Sequence, residues 1–507
     1  MKKEPIIIAI LGIIIGACSV LTCQKITERT KNLKAEYEDW GKLNVILRHI
    51  EENYVDSIDF NKVTDAAAAA ALATLDPHSI YMPPADLEET ETELAGQFEG
   101  IGIQFNVPND TATVIEVIPG GPSEKIGLQP GDRILKVDST VIAGVKFPQD
   151  SMVRRMKGPA GTKVLITIKR DGEDIPFEIT RGKIATHSVD AAFMVNDTTG
   201  YLRLSKFSRT TAQDFILASA DLLSKGMNYM ILDLRDNTGG FFDQALNLAN
   251  LFLPKDAPIV YIEGRKRKRE DYNANGKGIL KDVKLSVLIN DGSASSSEIL
   301  AGAIQDNGRG CIIGRRSFGK GLVQEPLNFT DGSGIRLTVA RFYTPSGRCI
   351  QKPYSEDYKY ETLLRYNTSE LVEADSMKVE SGGIIPDVFI PIDTTKVGQF
   401  YINCNKKATT MRFASAYFDK HKQELSGIED YDKLLKYLDS AGLEQKFLSF
   451  AETKDKLVPT AIEWKTEKQY MMTQVRALVG RYSKLGDKAF YHLYLEIDDA
   501  VAVALEH

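Results

Sequence analysis

The sequence predicts an α+β multidomain chain in which helical regions at both ends flank a small β-rich domain and a larger α/β domain. Three observations favour this fold class. Short β-branched runs separated by Pro- and Gly-rich turns fill residues 96–182, and strands alternate with helices from Gly200 onward. Apolar residues at helical spacing continue from about Thr395 to the end of the chain. At 507 residues the chain is long enough for about two to four such domains.

The composition is that of an ordinary globular protein, with 43% hydrophobic and 26% charged residues. The net charge of −6 gives no electrostatic reason to expect nucleic acid as a partner. The basic run at residues 265–269 is flanked by acidic residues and follows a strand-like run, which favours a solvated hairpin tip. Beyond the first 23 residues only Cys311, Cys349 and Cys404 remain, a set with neither a metal-binding nor a disulfide pattern. We therefore expect no metal and no organic cofactor.

The N-terminus has the pattern of a targeting signal, in which Lys2 and Lys3 precede an apolar run from Pro5 to Leu21. This run is long for a signal-peptide core and slightly short for a spanning helix, so a cleaved signal and an uncleaved membrane anchor both stay open. The sequence preceding Cys18 also resembles a bacterial lipoprotein cleavage site, which would place a lipid on Cys18. Each alternative predicts export to the bacterial periplasm or cell envelope.

Residues 24–95 are predicted to form a helical N-terminal region. Leu43–Tyr54 has helical periodicity, and the alanine-rich Thr64–Leu75 favours helix but buries little surface alone. Pro77 disfavours helix at the preceding residue and should end this segment. For His78, capping or packing is the expected role.

From Gly200 onward the predicted elements include the helix Thr211–Ser224 and the strand Ile259–Ile262, and their alternating order implies a largely parallel central sheet. Further strands are expected at Gly334–Tyr343 and Gly383–Ile392.

This α/β domain presents two loops at the ends of apolar strands. One loop, Asp233–Gly240, follows the strand Tyr229–Leu232 and ends in paired glycines, which allow a close backbone approach. The other follows the strand Lys284–Asn290 and leads into a helix whose first residues include four serines: Ser293, Ser295, Ser296 and Ser297. A serine at a strand-to-helix turn lies beside backbone N–H groups that stabilise an oxyanion. Helix capping is the alternative role, and these residues alone do not choose among the four serines.

A nucleophilic serine needs a base, and no histidine lies between Tyr201 and Gln351. Lys320 is the better candidate because it occupies a glycine-flanked turn, Phe318–Gly321, that follows the apolar run Cys311–Ile313. A lysine acts as a base when burial or nearby positive charge lowers its pKa. A phosphate-binding loop is disfavoured because neither the spacing nor the Ser/Thr after the lysine is present.

The β-rich segment resembles a PDZ domain. The resemblance rests on Gly100–Ile103, Val117–Ser123, Gly127–Leu128 and Pro130–Val137. In that family a glycine-rich loop presents backbone N–H groups to the terminal carboxylate of a peptide, and the adjoining strand pairs with the peptide. The resemblance implies that Gly100, Ile101, Gly102 and Ile103 form the peptide-binding loop.

The α/β segment resembles the carboxyl-terminal processing peptidases, or tail-specific proteases, which are serine endopeptidases with an inserted PDZ domain. The matching motifs are Gly292–Ile299, Gln305–Arg309 and Phe318–Gln324, with further matches at Leu75–Ser79, Gly200–Leu204, Asp233–Gly240 and Gly383–Asp387. The resemblance implies a crotonase-like protease core with Ser295 as nucleophile, Lys320 as general base and Gln324 orienting the lysine. It also implies an oxyanion hole from the backbone N–H groups of Gly239, Gly240 and Ser296.

With this resemblance the domain boundaries become specific. We predict a signal or anchor at 1–23, the helical N-terminal region at 24–95, the PDZ domain at 96–182, the protease core at 183–395 with a polar insertion near 352–380, and a C-terminal helical region at 396–507. Two positions depart from the family pattern. Thr238 stands where proline usually precedes the paired glycines, and Lys157 stands where arginine is usual in the PDZ segment.

The predicted function is a serine endopeptidase that cleaves protein or peptide substrates near or from their C-termini, without nucleic acid as a partner and with membrane association through the N-terminal segment. The alternative is a catalytically inactive PDZ-containing adaptor or scaffold for protein tails. A lyase or isomerase on a related α/β core is disfavoured by the PDZ segment and because this sequence shows no evident catalytic carboxylate partner. Glu298 and Asp306 lie on the serine helix, where capping, ion pairing and packing are the commoner roles.

Overall fold

The computed structural model describes residues 41–94, 96–354 and 382–507. The predicted signal or anchor at 1–23, Cys18 and most of the polar insertion lie outside the described residues. The described residues divide into two compact units, 41–84 with Pro326–Leu337 and Ala85–Glu325 with Thr338–His507. Within the described ranges, no helix combines the length and the apolarity needed to cross a membrane.

The first unit contains two of the predicted helices. Helix α1 covers residues 41–53, helix α2 covers Phe60–Ala73, and strand β1 (Ile80–Met82) pairs antiparallel with residues 334–336. Between α2 and β1, Asp76 Oδ1 accepts the N–H groups of His78 at 2.8 Å and Ser79 at 2.7 Å. This side-chain turn satisfies backbone donors just beyond the alanine-rich helix, as aspartate commonly does in turns.

The second unit begins with helix α3 (Pro84–Leu94) and the β-rich domain. Its elements are β2 (Gln97–Gly100), β3 (Ile103–Asn106), β4 (Ala112–Val117), α4 (Pro122–Lys125), β5 (Arg133–Val137), β6 (Thr140–Val141), α5 (Gln149–Met156), β7 (Lys163–Arg170), β8 (Glu173–Thr180) and β9 (Gly182–Ala185). The main sheet has the order β3-β4-β5-β7-β8, which places β3 at an edge. In β7 every second side chain is buried, because successive strand residues face opposite sides.

The α/β domain follows directly. Its elements are β10 (Val189–Met194), β11 (Thr199–Leu204), α6 (Thr211–Ser224), β12 (Tyr229–Asp233), α7 (Phe242–Phe252), β13 (Pro258–Glu263), β14 (Glu270–Asn273), β15 (Lys284–Ile289), α8 (Ser296–Asp306), β16 (Cys311–Gly314), β17 (Leu322–Asn328), β18 (Gly334–Tyr343) and β19 (Val388–Phe389). The alternation of strands and helices predicted from the sequence is confirmed.

The central sheet has the order β10-β11-β12-β15-β16-β19 and is parallel except for the β10–β11 pair. Strands β12 and β15 are neighbours, with Asp233 opposite Leu288. Both strands are almost continuously apolar and buried, as expected for parallel strands covered on both faces. The loops that follow β12 and β15 therefore leave the same edge of the sheet side by side.

Two strand predictions need correction. The run Ile259–Ile262 does not join the parallel sheet, because β13 pairs antiparallel with β14 and with the end of β18. A hairpin needs only a short turn, whereas a parallel neighbour needs a long crossover. The turn is the basic run at 265–269, so the hairpin tip is confirmed. The expected strand Gly383–Ile392 is reduced to Val388–Phe389.

The C-terminal region is helical, as predicted. Its helices are α9 (Gln399–Lys406), α10 (Thr409–Ser426), α11 (Tyr431–Ser440), α12 (Leu443–Phe450), α13 (Ala461–Gly480), α14 (Asp487–Tyr494) and α15 (Asp499–Glu506). The first six share a core rich in aromatic residues, whereas the buried residues of α15 belong to a second cluster that includes strands of the central sheet. Helix α15 also packs against the central sheet, where the Tyr229 hydroxyl donates to the Ala504 carbonyl at 2.5 Å.

Candidate active site

The serine turn links the end of β15 to the start of α8. Its last residue, Ser295, has φ of +54° and ψ of −113° and is half-buried. Residues other than glycine rarely adopt positive φ, and such strained positions cluster at functional sites. The predicted nucleophile therefore occupies a backbone conformation that the surrounding structure must hold in place.

The hydroxyls of the other three serines tie the turn to the glycine loop, Asp233–Gly240. Ser293 Oγ donates to the Leu234 carbonyl at 2.8 Å. Ser297 Oγ donates to the Asn237 carbonyl at 2.8 Å, and Ser296 Oγ donates to the Gly240 carbonyl at 3.1 Å. These partners give Ser293, Ser296 and Ser297 structural roles. The assignment of the nucleophile to Ser295 stays a prediction, which this division supports.

The paired glycines approach the serine turn too closely for any side chain. A Cβ on Gly239, whose φ is +97°, would lie 2.8 Å from both the Ser295 Cβ and the Ala294 carbonyl oxygen. A Cβ on Gly240, whose φ is +146°, would lie 2.1 Å from the Phe207 carbonyl oxygen. Glycine is thus required at both positions by conformation and by space.

The three predicted oxyanion donors differ in their present partners. The Gly239 N–H donates to Asn237 Oδ1 at 2.9 Å. Among the described residues, no acceptor is found for the N–H of Gly240 or of Ser296. An oxyanion beside Ser295 would therefore meet two available donors, and a third if the Asn237 side chain released Gly239. The oxyanion hole stays a prediction.

Glu298 joins the serine turn to the turn that carries Lys320. Its Oε2 accepts the N–H groups of Ser295 and Lys320, each at 2.8 Å. Its Oε1 accepts the N–H of Gly319 at 2.7 Å and the hydroxyl of Ser317 at 2.6 Å. The side chain is fully buried. Burial raises the pKa of Glu298 above its ordinary value, although the four hydrogen bonds favour the charged form.

Sequence reasoning assigned Glu298 to capping or packing and missed this connection. The local signal was present, because Ser295 and Glu298 have the spacing of a capping box. The bond from the Ser295 N–H to the glutamate is one half of that motif. The bonds to residues 317–320 are long-range, so no local pattern predicts them.

Lys320 lies in the turn between β16 and β17, and Gln324 lies on β17; both are half-buried. The Phe318 N–H donates to the Ser293 carbonyl at 3.0 Å. On the other side, the Lys352 N–H donates to the Gly319 carbonyl at 3.0 Å. The backbone of the lysine turn is therefore fixed beside the serine turn, while the catalytic pairing of the side chains stays a prediction.

The glycine loop begins in a buried network of charged groups. Asp233 accepts from Arg235 Nε at 2.9 Å, from Arg203 Nη1 at 3.0 Å and from the Tyr201 hydroxyl at 2.6 Å. Burial opposes ionisation of Asp233, but the two arginines hold the pKa of its carboxyl well below the usual range. Arg235 also donates to both carboxylate oxygens of Asp498, at 3.0 and 2.6 Å. The C-terminal region thus helps to anchor the loop.

The predicted peptide-binding loop lies at the mouth of a groove between β3 and α5. The groove encloses about 610 Å³, within the range of ligand sites, and Gly100, Ile101, Gly102 and Ile103 all line it. Gly102 has φ of +79°. The Ile101 carbonyl accepts the N–H and the hydroxyl of Ser123, at 3.0 and 2.6 Å. An edge strand beside an apolar groove is the arrangement that β-augmentation requires.

Fold and site together define an α/β serine hydrolase joined to a peptide-binding domain. The pattern of Peptidase family S41 matches residues 198–360, and that of the PDZ domain matches residues 100–180. The Carboxy-terminal-processing protease of Bartonella bacilliformis is 36% identical to this chain over 406 residues. The aligned residues are 76% of this chain and 92% of that protein. The chain belongs to the carboxyl-terminal processing peptidases of family S41.

A second relative agrees with this membership. The Carboxy-terminal processing protease CtpA of Bacillus subtilis is 32% identical over 342 residues, which are 66% of this chain and 72% of the relative. Among solved structures, the photosystem II D1 C-terminal processing protease is 29% identical to this chain, with a TM-score of 0.38. The match covers 69% of this chain and 87% of that protein's chain. Residues 400–483 match a family of unknown function, DUF8443.

Proposed function

We propose that this protein is a serine endopeptidase that cleaves protein substrates near or from their C-termini, and that its PDZ domain binds the substrate C-terminus. Membership in the carboxyl-terminal processing peptidases supports the class of reaction. The observation that carries the assignment of residues is the Glu298 carboxylate, which accepts the N–H of Ser295 and the N–H of Lys320. One buried group thereby fixes the two predicted catalytic turns relative to each other.

In the proposed mechanism the Ser295 Oγ attacks the scissile carbonyl while Lys320 accepts its proton. Lys320 then returns the proton to the leaving amine, and water hydrolyses the acyl-enzyme in a second, equivalent step. Gln324 orients the lysine side chain. The lysine must be neutral to act as a base, which requires a pKa below its usual range. Negative charge on the carbonyl oxygen is stabilised by N–H groups of Gly240 and Ser296, and of Gly239 once Asn237 releases it.

The peptide groove supplies substrate selection in this proposal. A substrate tail adds to the edge of β3 with its terminal carboxylate at Gly100–Ile103. Binding the tail raises the effective concentration of the attached polypeptide at Ser295. A protein with a free, flexible C-terminus is therefore cleaved faster than the same protein with a blocked terminus.

We also propose that the enzyme is exported to the bacterial periplasm or cell envelope and held there by its N-terminal segment or by lipid on Cys18. The support is the apolar run that follows Lys2 and Lys3. Fractionation of cells expressing the full chain and a Cys18→Ser variant tests both parts. Recovery of the full chain in the cytoplasmic fraction would refute export.

The direct test measures hydrolysis of an unfolded protein by the wild type, Ser295→Ala and Lys320→Ala. Both variants should lose activity while keeping the wild-type circular dichroism spectrum. Ser224→Ala and Lys277→Ala, at exposed positions outside both turns, are matched controls and should retain activity. An active Lys320→Ala enzyme would refute the dyad. An inactive wild type that still binds C-terminal peptides would support the adaptor instead.

A further inference from the structure

The peptide groove is lined partly by residues from outside the PDZ domain. Thr186 follows β9, Lys206 follows β11 in the α/β domain, and Arg481 directly follows α13 in the C-terminal region. The Lys206 Nζ donates to Thr186 Oγ1 at 2.7 Å, which holds it in the wall of the groove. Two cationic side chains from two other domains thus stand beside the peptide-binding strand.

Arg481 is held there by packing between the C-terminal helices and the PDZ domain. Gly131 sits directly on Phe418, since a Cβ on that glycine would lie 2.8 Å from the ring. The next residue of the helix, Asp419, pairs with Arg133 at 2.5 Å. Phe418 stacks on Tyr482 with centroids 4.5 Å apart. Because Tyr482 adjoins Arg481, this contact sets where the arginine lies.

The guanidinium of Arg481 extends along the exposed side of β3. Its Nη2 lies 3.5 Å from Gln104 Oε1, while its Nε lies 2.5 Å from the Asp487 carboxylate. Gln104 is exposed, whereas its neighbours Ile103 and Phe105 are half-buried. A strand residue shares its face with the side chain directly opposite on a paired strand. Arg481 is therefore on the face where alternate side chains of a bound peptide would lie.

We propose that the groove is a composite site in which Arg481 and Lys206 select substrate tails that carry an acidic side chain one or three residues before an apolar C-terminal residue. The inference rests on the proposed binding of substrate C-termini by the PDZ domain. With the carboxylate at Gly100–Ile103, an antiparallel peptide alternates its side chains between the apolar groove and the Gln104 face. The acidic side chain then meets the Nη edge of Arg481, and arginine is well suited to carboxylates.

Acidic groups beside Arg481 limit the size of the preference. Asp487 already pairs with its Nε edge, and Glu116 lies opposite Gln104 on β4. Burial, followed by the charge of Asp487, raises the pKa of Glu116. Its carboxyl group therefore takes up a proton at a higher pH than an ordinary glutamate, and the protonated form does not repel an acidic tail. Ion pairs in partly exposed sites contribute modestly, so an acidic tail should bind about threefold to tenfold more tightly than its neutral counterpart.

The experiment measures fluorescence anisotropy with the full chain carrying Ser295→Ala, so that no peptide is cleaved. All labelled peptides end in the same apolar residue. The first set has Asp, Asn or Lys one residue before it, and the second set has the same three residues three positions before it. The Ser295→Ala protein should bind the Asp peptide most tightly and the Lys peptide most weakly in at least one of the two sets. Adding Arg481→Glu should reverse this order. Adding Arg476→Glu should leave it unchanged, because Arg476 lies on α13, the helix that precedes Arg481, and pairs with Asp439 of α11 but does not line the groove.

The outcomes separate this inference from the function on which it rests. If none of the peptides binds, or amidated termini bind equally well, capture of C-termini by the PDZ domain is refuted. If Asp, Asn and Lys peptides bind alike, or if Arg481→Glu weakens all of them by the same factor, the charge-selective role of Arg481 is refuted. Only a reversal of charge preference supports it, and a purely structural role for Arg481 would not produce one. Lys206→Gln should weaken the preference without reversing it.

Discussion

Two glycine loops in this protein are proposed to face negatively charged oxygen atoms, and they are built differently. The catalytic loop at Gly239–Gly240 is pressed against backbone atoms and Ser295, with distances of 2.1–2.8 Å to any added Cβ. In the peptide-binding loop, a Cβ on Gly102 would lie 3.3 Å from Pro122 Cδ and 3.4 Å from Ile184 Cδ1. A Cβ on Gly100 would lie 3.3 Å from its nearest neighbours, so a small shift would admit a side chain in this loop but not in the catalytic loop.

The difference in packing around the two loops fits their proposed roles in catalysis and in peptide binding. Transition-state stabilisation depends on donors that are already in position, because small displacements reduce it strongly. Binding a peptide terminus in its ground state tolerates small adjustments of the surrounding side chains. A change in the catalytic loop should therefore lower kcat, and a change in the peptide loop should raise KM.

The largest effect is expected for Gly239→Ala. The new methyl group would collide with Ser295 Cβ and the Ala294 carbonyl, so the nucleophile and the oxyanion donors must separate. Loss of oxyanion stabilisation typically lowers kcat by about 100-fold to 1,000-fold. Gly127→Ala is the control, because its φ of +85° carries the same conformational strain while no atom lies within 4 Å of the new Cβ. A near-normal kcat for Gly239→Ala would contradict the rigid-loop account.

Glu298→Gln should have the next largest effect. The amide cannot accept all four hydrogen bonds from Ser295, Ser317, Gly319 and Lys320. A buried donor without a partner costs about 1–3 kcal/mol. We expect kcat to fall by about tenfold to 100-fold, with KM for a tail-bearing protein little changed. Steady-state kinetics beside thermal unfolding measures both consequences. A rise in KM without a fall in kcat would show that Glu298 does not support the catalytic turns.

The sequence predicted the parts of this arrangement that depend on local pattern. The helix Thr211–Ser224 and the strand Gly334–Tyr343 were predicted with the bounds that the structure has. Their apolar periodicity and turn signals are local, and tertiary packing agrees with them. Family spacing likewise placed Ser295 and Lys320 in turns that the structure brings together through Glu298.

The remaining features depend on contacts between distant segments. No periodicity indicates that Asp498 binds Arg235, or that Arg481 reaches the peptide groove. The strand character of Ile259–Ile262 was evident, but its sheet was not, because a strand's own residues do not specify its partner. Long-range hydrogen bonds and ion pairs therefore account for most of what sequence reasoning missed.

A third prediction concerns the support that the C-terminal region gives to the catalytic side. His492 stacks between Phe193 and Tyr431, with centroids 4.2 and 3.7 Å away, and burial lowers its pKa to about 4. A lowered histidine pKa means that the neutral form stabilises the fold above about pH 6.5 and that this contribution is lost as the pH falls toward 4. Because the ring is partly exposed, we expect a loss of about 2 kcal/mol.

Urea unfolding at pH 7.5 and pH 4.5, for the wild type and His492→Phe, measures that contribution. The phenylalanine variant keeps the aromatic stack but cannot take up a proton, so its stability should fall less on acidification. Equal falls in the two proteins would assign the acid sensitivity to other groups. If the C-terminal region supports the catalytic loop, proteolysis should also decline more steeply over this pH range in the wild type than in His492→Phe, because protonation of Lys320 affects both proteins equally.

The smallest effect is expected for Gly102→Ala, and it tests the flexible side of the comparison. The alanine must adopt a φ of +79°, which costs about 1–2 kcal/mol, but the nearest atoms, Pro122 Cδ and Ile184 Cδ1, lie 3.3 and 3.4 Å from the new Cβ and need only a small shift. KM for a protein with a free C-terminus should rise by about fivefold to tenfold at unchanged kcat, whereas a short peptide with an amidated terminus should be cleaved as before. Gly120→Ala, at φ of +75° with open space around it, controls for strain elsewhere in the domain. If Gly102→Ala lowered kcat as strongly as Gly239→Ala, the two loops would be equally rigid, and the difference in packing would not explain the division between binding and catalysis.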